Sequence, residues 1–244
     1  MRRSLVLAVL LAACSDGGEQ IVDAPPVVDD APSDMATDSG PCGTGRFVTG
    51  ELLDLDSSNA SFKGANNVRL TVQSSTASDA TSPNGRFELC VPSASGAVTF
   101  DMVANANATP RYMDGFVYLD GDAIFSAILI SLRTFDQARR TSFYEDLGLT
   151  YDATKAHVIV WTSGITGAVA LDRDHDEAQA GTDVDGDGAF TWSSGAVGAY
   201  VLFPNVDVTN ATGTISGDSL PIDHTIPLAA DKLTIAGVSS TLQL

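Results

Sequence analysis

The chain is short of positive charge: 13 Lys and Arg stand against 31 Asp and Glu in 244 residues, a formal charge of −18 at neutral pH. A protein that grips nucleic acid needs clustered cations to release counterions from phosphates, so nucleic acid is excluded as a partner. The same deficit argues against electrostatic adhesion to an anionic membrane surface. Histidine is scarcer still, with only His157, His175 and His224, and neither a His-Glu-x-x-His pair nor a Gly-x-Ser-x-Gly elbow occurs. The familiar zinc-hydrolase and serine-hydrolase layouts are therefore missing. His175 stands alone in its loop, short of the ligand set a transition metal needs. Glycines sit at turns rather than in a phosphate cradle, and among so many acids some carboxylate pair falls at almost any separation. No catalytic residue is assigned, and the chain reads as non-enzymatic.

Long apolar runs are also lacking. The exception is the start, where Arg2 and Arg3 precede a run from Leu5 to Leu11 that ends in Leu11-Ala12-Ala13-Cys14. A basic start, a short apolar core and small residues make a secretory signal, too short to span a bilayer as a mature helix. Its ending resembles the lipobox of bacterial lipoprotein precursors. The resemblance implies cleavage after residue 13 and a lipid on Cys14, which would be the membrane attachment. Losing residues 1–13 removes two arginines and no acid, moving the charge from −18 to −20. Ser15 follows the cysteine and Asp16 comes one place later, which favours the outer over the inner membrane of a bacterial envelope.

Only three cysteines are present. Lipidation of Cys14 leaves Cys42 and Cys90 as a pair, and an oxidising compartment predicts one disulfide between them. Residues 14–44 carry seven acids between Asp16 and Asp38, no Lys or Arg, and several prolines. Such a segment cannot bury enough apolar surface to offset its ordering entropy, so it reads as an acidic, disordered tether.

Beyond residue 44 the texture turns to β. Short runs rich in Val, Ile, Phe and Tyr are punctuated by Gly, Asn, Asp and Ser, and predict strands near 47–53, 67–73, 86–91, 97–103 and 112–119. The run 123–132 fits either strand or helix. Phe87, Leu89 and Val91 alternate with Arg86, Glu88 and Cys90, which puts three apolar side chains on one face and Cys90 on the other. One helix is expected: Thr134 and Gln137 form a capping box, and Gly148 is the stop. Strands resume at 156–162, 168–171, 189–192, 199–203, 209–216 and 232–236. An offset of 103 residues aligns Gly64 with Gly167, Phe87 with Phe190 and Phe100 with Phe203, a weak internal repeat.

The first half carries Gly50-Glu51-Leu52-Leu53-Asp54, then Gly64-Ala65 with Val68 and Leu70, then Thr81-Ser82-Pro83-Asn84-Gly85-Arg86-Phe87. This order resembles the carboxypeptidase regulatory-like domains, small sandwiches of transthyretin-like fold found in bacterial surface proteins. Ser82 stands where the family pattern has Asp, and Gly96-Ala97-Val98 lacks the final Pro and Tyr. The resemblance implies an accessory or binding module, not a peptidase. The expected fold is therefore all-β, with one or two transthyretin-like or immunoglobulin-like sandwiches: 45–132, a helical connector 133–155, and a second sandwich 156–244.

The densest charge lies at Asp172, Asp174 and Asp176 and in Asp183-Val184-Asp185-Gly186-Asp187-Gly188. Carboxylates at alternate positions with a Gly after the third resemble the opening of a calcium loop. Position 12 falls on Ser194, so the closing bidentate acid is missing, and Asp172 or Asp176 would have to replace it. The same letters equally describe a hairpin turn. The function expected from all this is a lipid-anchored envelope protein with a structural or adhesive role toward a protein or glycan, or alternatively a calcium-dependent binding module on Asp172, Asp176, Asp183, Asp185 and Asp187.

Overall fold

The computed structural model describes residues 42, 45–92, 96–121, 130–163 and 165–239. The signal segment, Cys14 and nearly all of the tether lie outside the described residues, as does 122–129 of the ambiguous run. The fold is all-β, with one short helix set out among the described residues, and its sheets pack face to face as in a sandwich.

The described residues form three sheets. The strands of the first are β1 (Arg46–Asp54), β4 (Arg86–Val91) and β7 (Ile130–Thr134), in the order β4-β1-β7. β1 runs antiparallel to β4 and parallel to β7. The second, nine-stranded sheet contains β2 (Val68–Val72), β3 (Ser78–Ala80), β5 (Val98–Ala104), β6 (Gly115–Leu119), β8 (Ala156–Ser163), β10 (Gln179–Thr182), β11 (Thr191–Ser194), β12 (Tyr200–Val206) and β15 (Leu233–Ser239). Their order is β11-β10-β12-β8-β15-β6-β5-β2-β3. The third sheet is β14 (His224–Pro227), β13 (Thr212–Gly217) and β9 (Val169–Leu171).

A small sheet covers each face of the large one, and the alternation of side chains shows it. In β6, Val117 and Leu119 join one core with Leu52, Phe87 and Leu132, while Tyr118 joins the other with Ile215 and Ile226. β8 divides likewise, Ile159 to the first core and Val158 and Val160 to the second. So does β15, with Leu233 and Ile235 on one side and Ala236 and Val238 on the other. Strands buried on both faces need apolar residues at successive positions, which is why Val158-Ile159-Val160 and Val201-Leu202-Phe203 read as continuous runs. β4 has solvent on one side, and its Phe87, Leu89 and Val91 are buried between exposed Arg86 and Glu88 and half-buried Cys90, as the alternation predicts. The large sheet ends in β3 and β11, three and four residues long, too short to template pairing with another chain.

The large sheet runs across the expected connector at 133–155. β15, the last strand, lies between β6 and β8 and is parallel to both, so strands from 45–132 and from 156–244 share one hydrogen-bonded sheet. Residues 39–244 form one compact unit. The positions related by the 103-residue offset occupy different places: Phe87 lies in β4 of the first small sheet, whereas Phe190 precedes the edge strand β11.

Helix α1 spans Arg140–Asp146, shorter than expected. The Thr134–Gln137 capping box does not form, because Thr134 pairs with Asp54 as the last residue of β7 and the Gln137 amide donates to the Arg111 carbonyl at 2.8 Å. The stop is where the sequence puts it. Gly148 takes φ +73° and donates to Glu145 at 2.9 Å, while Leu149 donates to Tyr144 at 2.8 Å, the paired bonds of a left-handed helix cap.

Candidate functional site

Cys42 and Cys90 are joined by a disulfide, their Cα atoms 5.3 Å apart. Cys90 projects from the side of β4 opposite Phe87, Leu89 and Val91, so the bridge fastens the incoming chain to the outer side of that sheet.

The acidic residues do not assemble into one group. Asp183 accepts hydrogen bonds from the Asp187 and Gly188 amides at 3.1 and 2.9 Å, and Asp187 from Ala189 at 2.9 Å. Gly186 and Gly188 both have positive φ, 70° and 81°, which closes the turn tightly. Asp172, at the end of β9, accepts from the Thr214 amide of β13 at 2.6 Å. Asp176 accepts from the Asn205 side chain at 2.6 Å. The loop 183–188 joins β10 to β11 at the edge of the large sheet, whereas Asp172 belongs to the third sheet, so sequence proximity does not become convergence. Among the described residues no three His, Cys, Asp or Glu side chains gather as a cation site.

A guanidinium grips this loop from below. Arg133, buried in β7, donates through Nη1 to the carbonyls of Asp54 and Ser57 at 3.0 and 2.9 Å, and through Nη2 to that of Gly188 at 3.2 Å. Its plane sits 4.9 Å from the centre of the Phe190 ring. Asn59 adds a second clasp, its amide donating to the Asp187 carbonyl at 2.6 Å. Backbone oxygens of the acidic loop are thus held by a side-chain cation and an amide.

The same segment 54–64 forms one wall of an open cleft of about 390 Å3. Asp54 ends β1 with its side chain buried, and one carboxylate oxygen accepts from the Asp56 amide at 2.9 Å. Burial raises its pKa above the ordinary carboxylate value, against the opposing pull of Lys63 and Arg139. Burial, with the Asp54 and Asp136 carboxylates nearby, pushes the Tyr112 hydroxyl pKa up. Asp136 faces Tyr112 across a backbone bridge and accepts from the Ala138 amide at 2.9 Å. Arg139 and Lys63 both turn to Asp56, Lys63 at 4.0 Å. Phe62 stands at the rim, 52 % exposed. The opposite wall is the turn Ser82–Gly85, onto which Gly64 is pressed so closely that a Cβ there would lie 2.2 Å from the Asn84 carbonyl carbon. Sequence reasoning touched Asp54, Gly64 and the 82–85 turn as pattern elements but did not see the cleft. The available signal was Asp54 itself, a lone carboxylate within Leu52-Leu53-Asp54-Leu55.

A second depression of about 620 Å3 lies around Tyr151, Lys155, His175, Asp176 and Asn205. Its polar groups largely satisfy one another. Asn205 donates to Thr150 and Asp176 and accepts from the Asp152 amide, while Lys155 pairs with Asp207 at 2.9 Å. Beneath it, fully buried His157 stacks on Tyr151 and shares a 2.6 Å hydrogen bond with the Tyr144 hydroxyl. Burial pushes its pKa down to about 4. His224 of β14 is likewise buried, 3.2 Å from the Tyr118 hydroxyl. Comparison with protein-family models, with curated proteins and with solved structures finds no match to this chain.

Proposed function

We propose that this protein is a non-enzymatic component of a bacterial cell envelope, lipid-anchored through Cys14, more specifically in the outer membrane, whose folded body binds a surface protein or glycan. The Cys42–Cys90 disulfide carries the reading. It supports export to an oxidising compartment, and it fastens the chain at the point where the acidic segment 14–44 would deliver it from the membrane. The order of turn and core residues from Gly50 to Phe87, similar to carboxypeptidase regulatory-like domains, supports an accessory module. His157 and His224, buried against tyrosines, are best read as core polar pairs. The test is the mass of the mature N-terminus with membrane fractionation of wild type and Cys14→Ser. A lipidated Cys14 in the membrane fraction, lost in the variant, is expected. A mature chain beginning at any other residue, without lipid, overturns the anchor.

A calcium-dependent form of this reading rests on one observation, the tight turn in which Asp183 accepts two loop amides while Gly186 and Gly188 take positive φ. Without an acid at Ser194, affinity falls in the weak extracellular range of about 0.1–1 mM. Thermal melts in millimolar calcium against chelator decide it. A rise that Asp185→Ala abolishes supports calcium, and a calcium-insensitive wild type removes it.

A further inference from the structure

We propose that the cleft between Phe62, Asp54 and Asp136 is a binding subsite for a neutral oligosaccharide. The inference rests on the reading of the protein as an exported binding module and names the ligand class. Size is the first argument. A cleft of about 390 Å3 falls in the range of small-ligand sites, whereas a stable protein partner needs roughly 800 Å2 of surface on each side.

The lining chemistry then selects among small ligands. Phe62 stands half exposed at the rim, and Pro83 and Pro110 extend the apolar surface along the walls. A sugar ring has one face of C–H groups that packs on such a surface and a perimeter of hydroxyls. The hydroxyls need acceptors and donors interleaved at close range, and the cleft supplies both: the carboxylates of Asp54 and Asp136 beside Lys63 and Arg139. Asp54 is buried and already accepts from the Asp56 amide, so it sets the floor, and the acceptor a hydroxyl reaches is the half-buried Asp136, one of whose oxygens takes the Ala138 amide. An acidic sugar is disfavoured, because the carboxylates of Asp54 and Asp136 line the cleft and the chain as a whole is anionic. No residue of the acidic loop 183–188 lines the cleft.

Ligand-observed saturation-transfer NMR on the full mature protein tests this. The probes are neutral hexose and N-acetylhexosamine tetrasaccharides, a uronic-acid tetrasaccharide and an uncharged tetrapeptide. At least one neutral tetrasaccharide is expected to bind. Phe62→Ala and Asp136→Asn should each weaken it by about five-fold or more, the effect of removing one stacking or hydrogen-bonding group, while Ile222→Ala at an unrelated exposed site leaves it unchanged. Melting temperatures of the three variants, measured alongside, identify any loss that comes from unfolding, and in that event Phe62→Leu, which keeps an apolar side chain without the ring, replaces the affected variant. The proposal is overturned if no neutral probe binds, if the cleft variants bind like wild type, or if the uronic acid or the peptide binds more tightly. Membrane fractionation of the same wild-type cells reports the anchor separately. A membrane-bound protein that binds no glycan refutes the subsite alone.

Discussion

Replacing Arg133 tests how the segment 54–59 and the acidic loop are held together. The guanidinium is buried, and its three acceptors are backbone carbonyls at 3.0, 2.9 and 3.2 Å. Arg133→Met keeps most of the apolar stem but leaves the Ser57 carbonyl without a donor, whereas that of Asp54 keeps the Ser57 amide at 2.9 Å. The Ser57 carbonyl lies inside, and stranding one buried acceptor costs about 1–3 kcal/mol, which sets the size of the loss. Gly188 adds little, because its part-buried carbonyl can recruit water. At a central loss of about 2 kcal/mol, a body of this size melts roughly 4–8 °C lower. Arg133→Lys recovers only part of this, since an ammonium cannot reproduce the planar fork that reaches both segments. Urea unfolding with a common slope gives the free energies, and limited proteolysis at 183–188 reports the loop, which is cut faster in Arg133→Met. A Met variant within about 1 kcal/mol of wild type would show that the carbonyls find other donors, and the account of Arg133 as the clasp would be wrong.

Other substitutions probe separate parts of the fold. The disulfide closes a 48-residue separation, and its removal by Cys42→Ser with Cys90→Ser should cost about 4 kcal/mol in the chain-entropy treatment. An unchanged melting temperature in the double variant, or two alkylatable thiols in protein from native envelope, counts against the bridge. His157, with its folded pKa lowered to about 4 from 6.5, binds fewer protons folded than unfolded between those values, so stability is full above pH 6.5 and falls as pH drops toward 4. The loss amounts to about 3 kcal/mol, and His157→Phe should flatten the pH dependence of the melting temperature over that window. An equally steep profile in the variant would place the acid sensitivity elsewhere. Gly64→Ala puts a methyl 2.2 Å from the Asn84 backbone and should destabilise by about 1–3 kcal/mol, seen in chemical denaturation. A neutral result would mean that the 82–85 turn yields freely.

Local features were legible in the sequence. Alternation in Arg86–Val91 predicted which side chains enter the core and which way Cys90 faces, because side-chain direction in a strand depends only on position. It placed the turn at Asn84-Gly85 and the helix stop at Gly148, since both depend on backbone freedom at one residue. The Cys42–Cys90 pairing came from counting. Tertiary structure alone decided the rest. Strands buried on both faces, such as β15, lose the polar alternation that would report their partners, so nothing in Leu233–Ser239 announced that it would lie between β6 and β8. Thr134 looked like a helix cap until pairing with β1 claimed it for β7. Asp172 and Asp176 stood a few residues from the acidic loop in sequence and were drawn away by β13 and Asn205. The cleft at Asp54 joins residues as far apart as 54 and 139 through strand order, and strand order is set by which long-range pairs bury the most apolar surface, a quantity no local window contains.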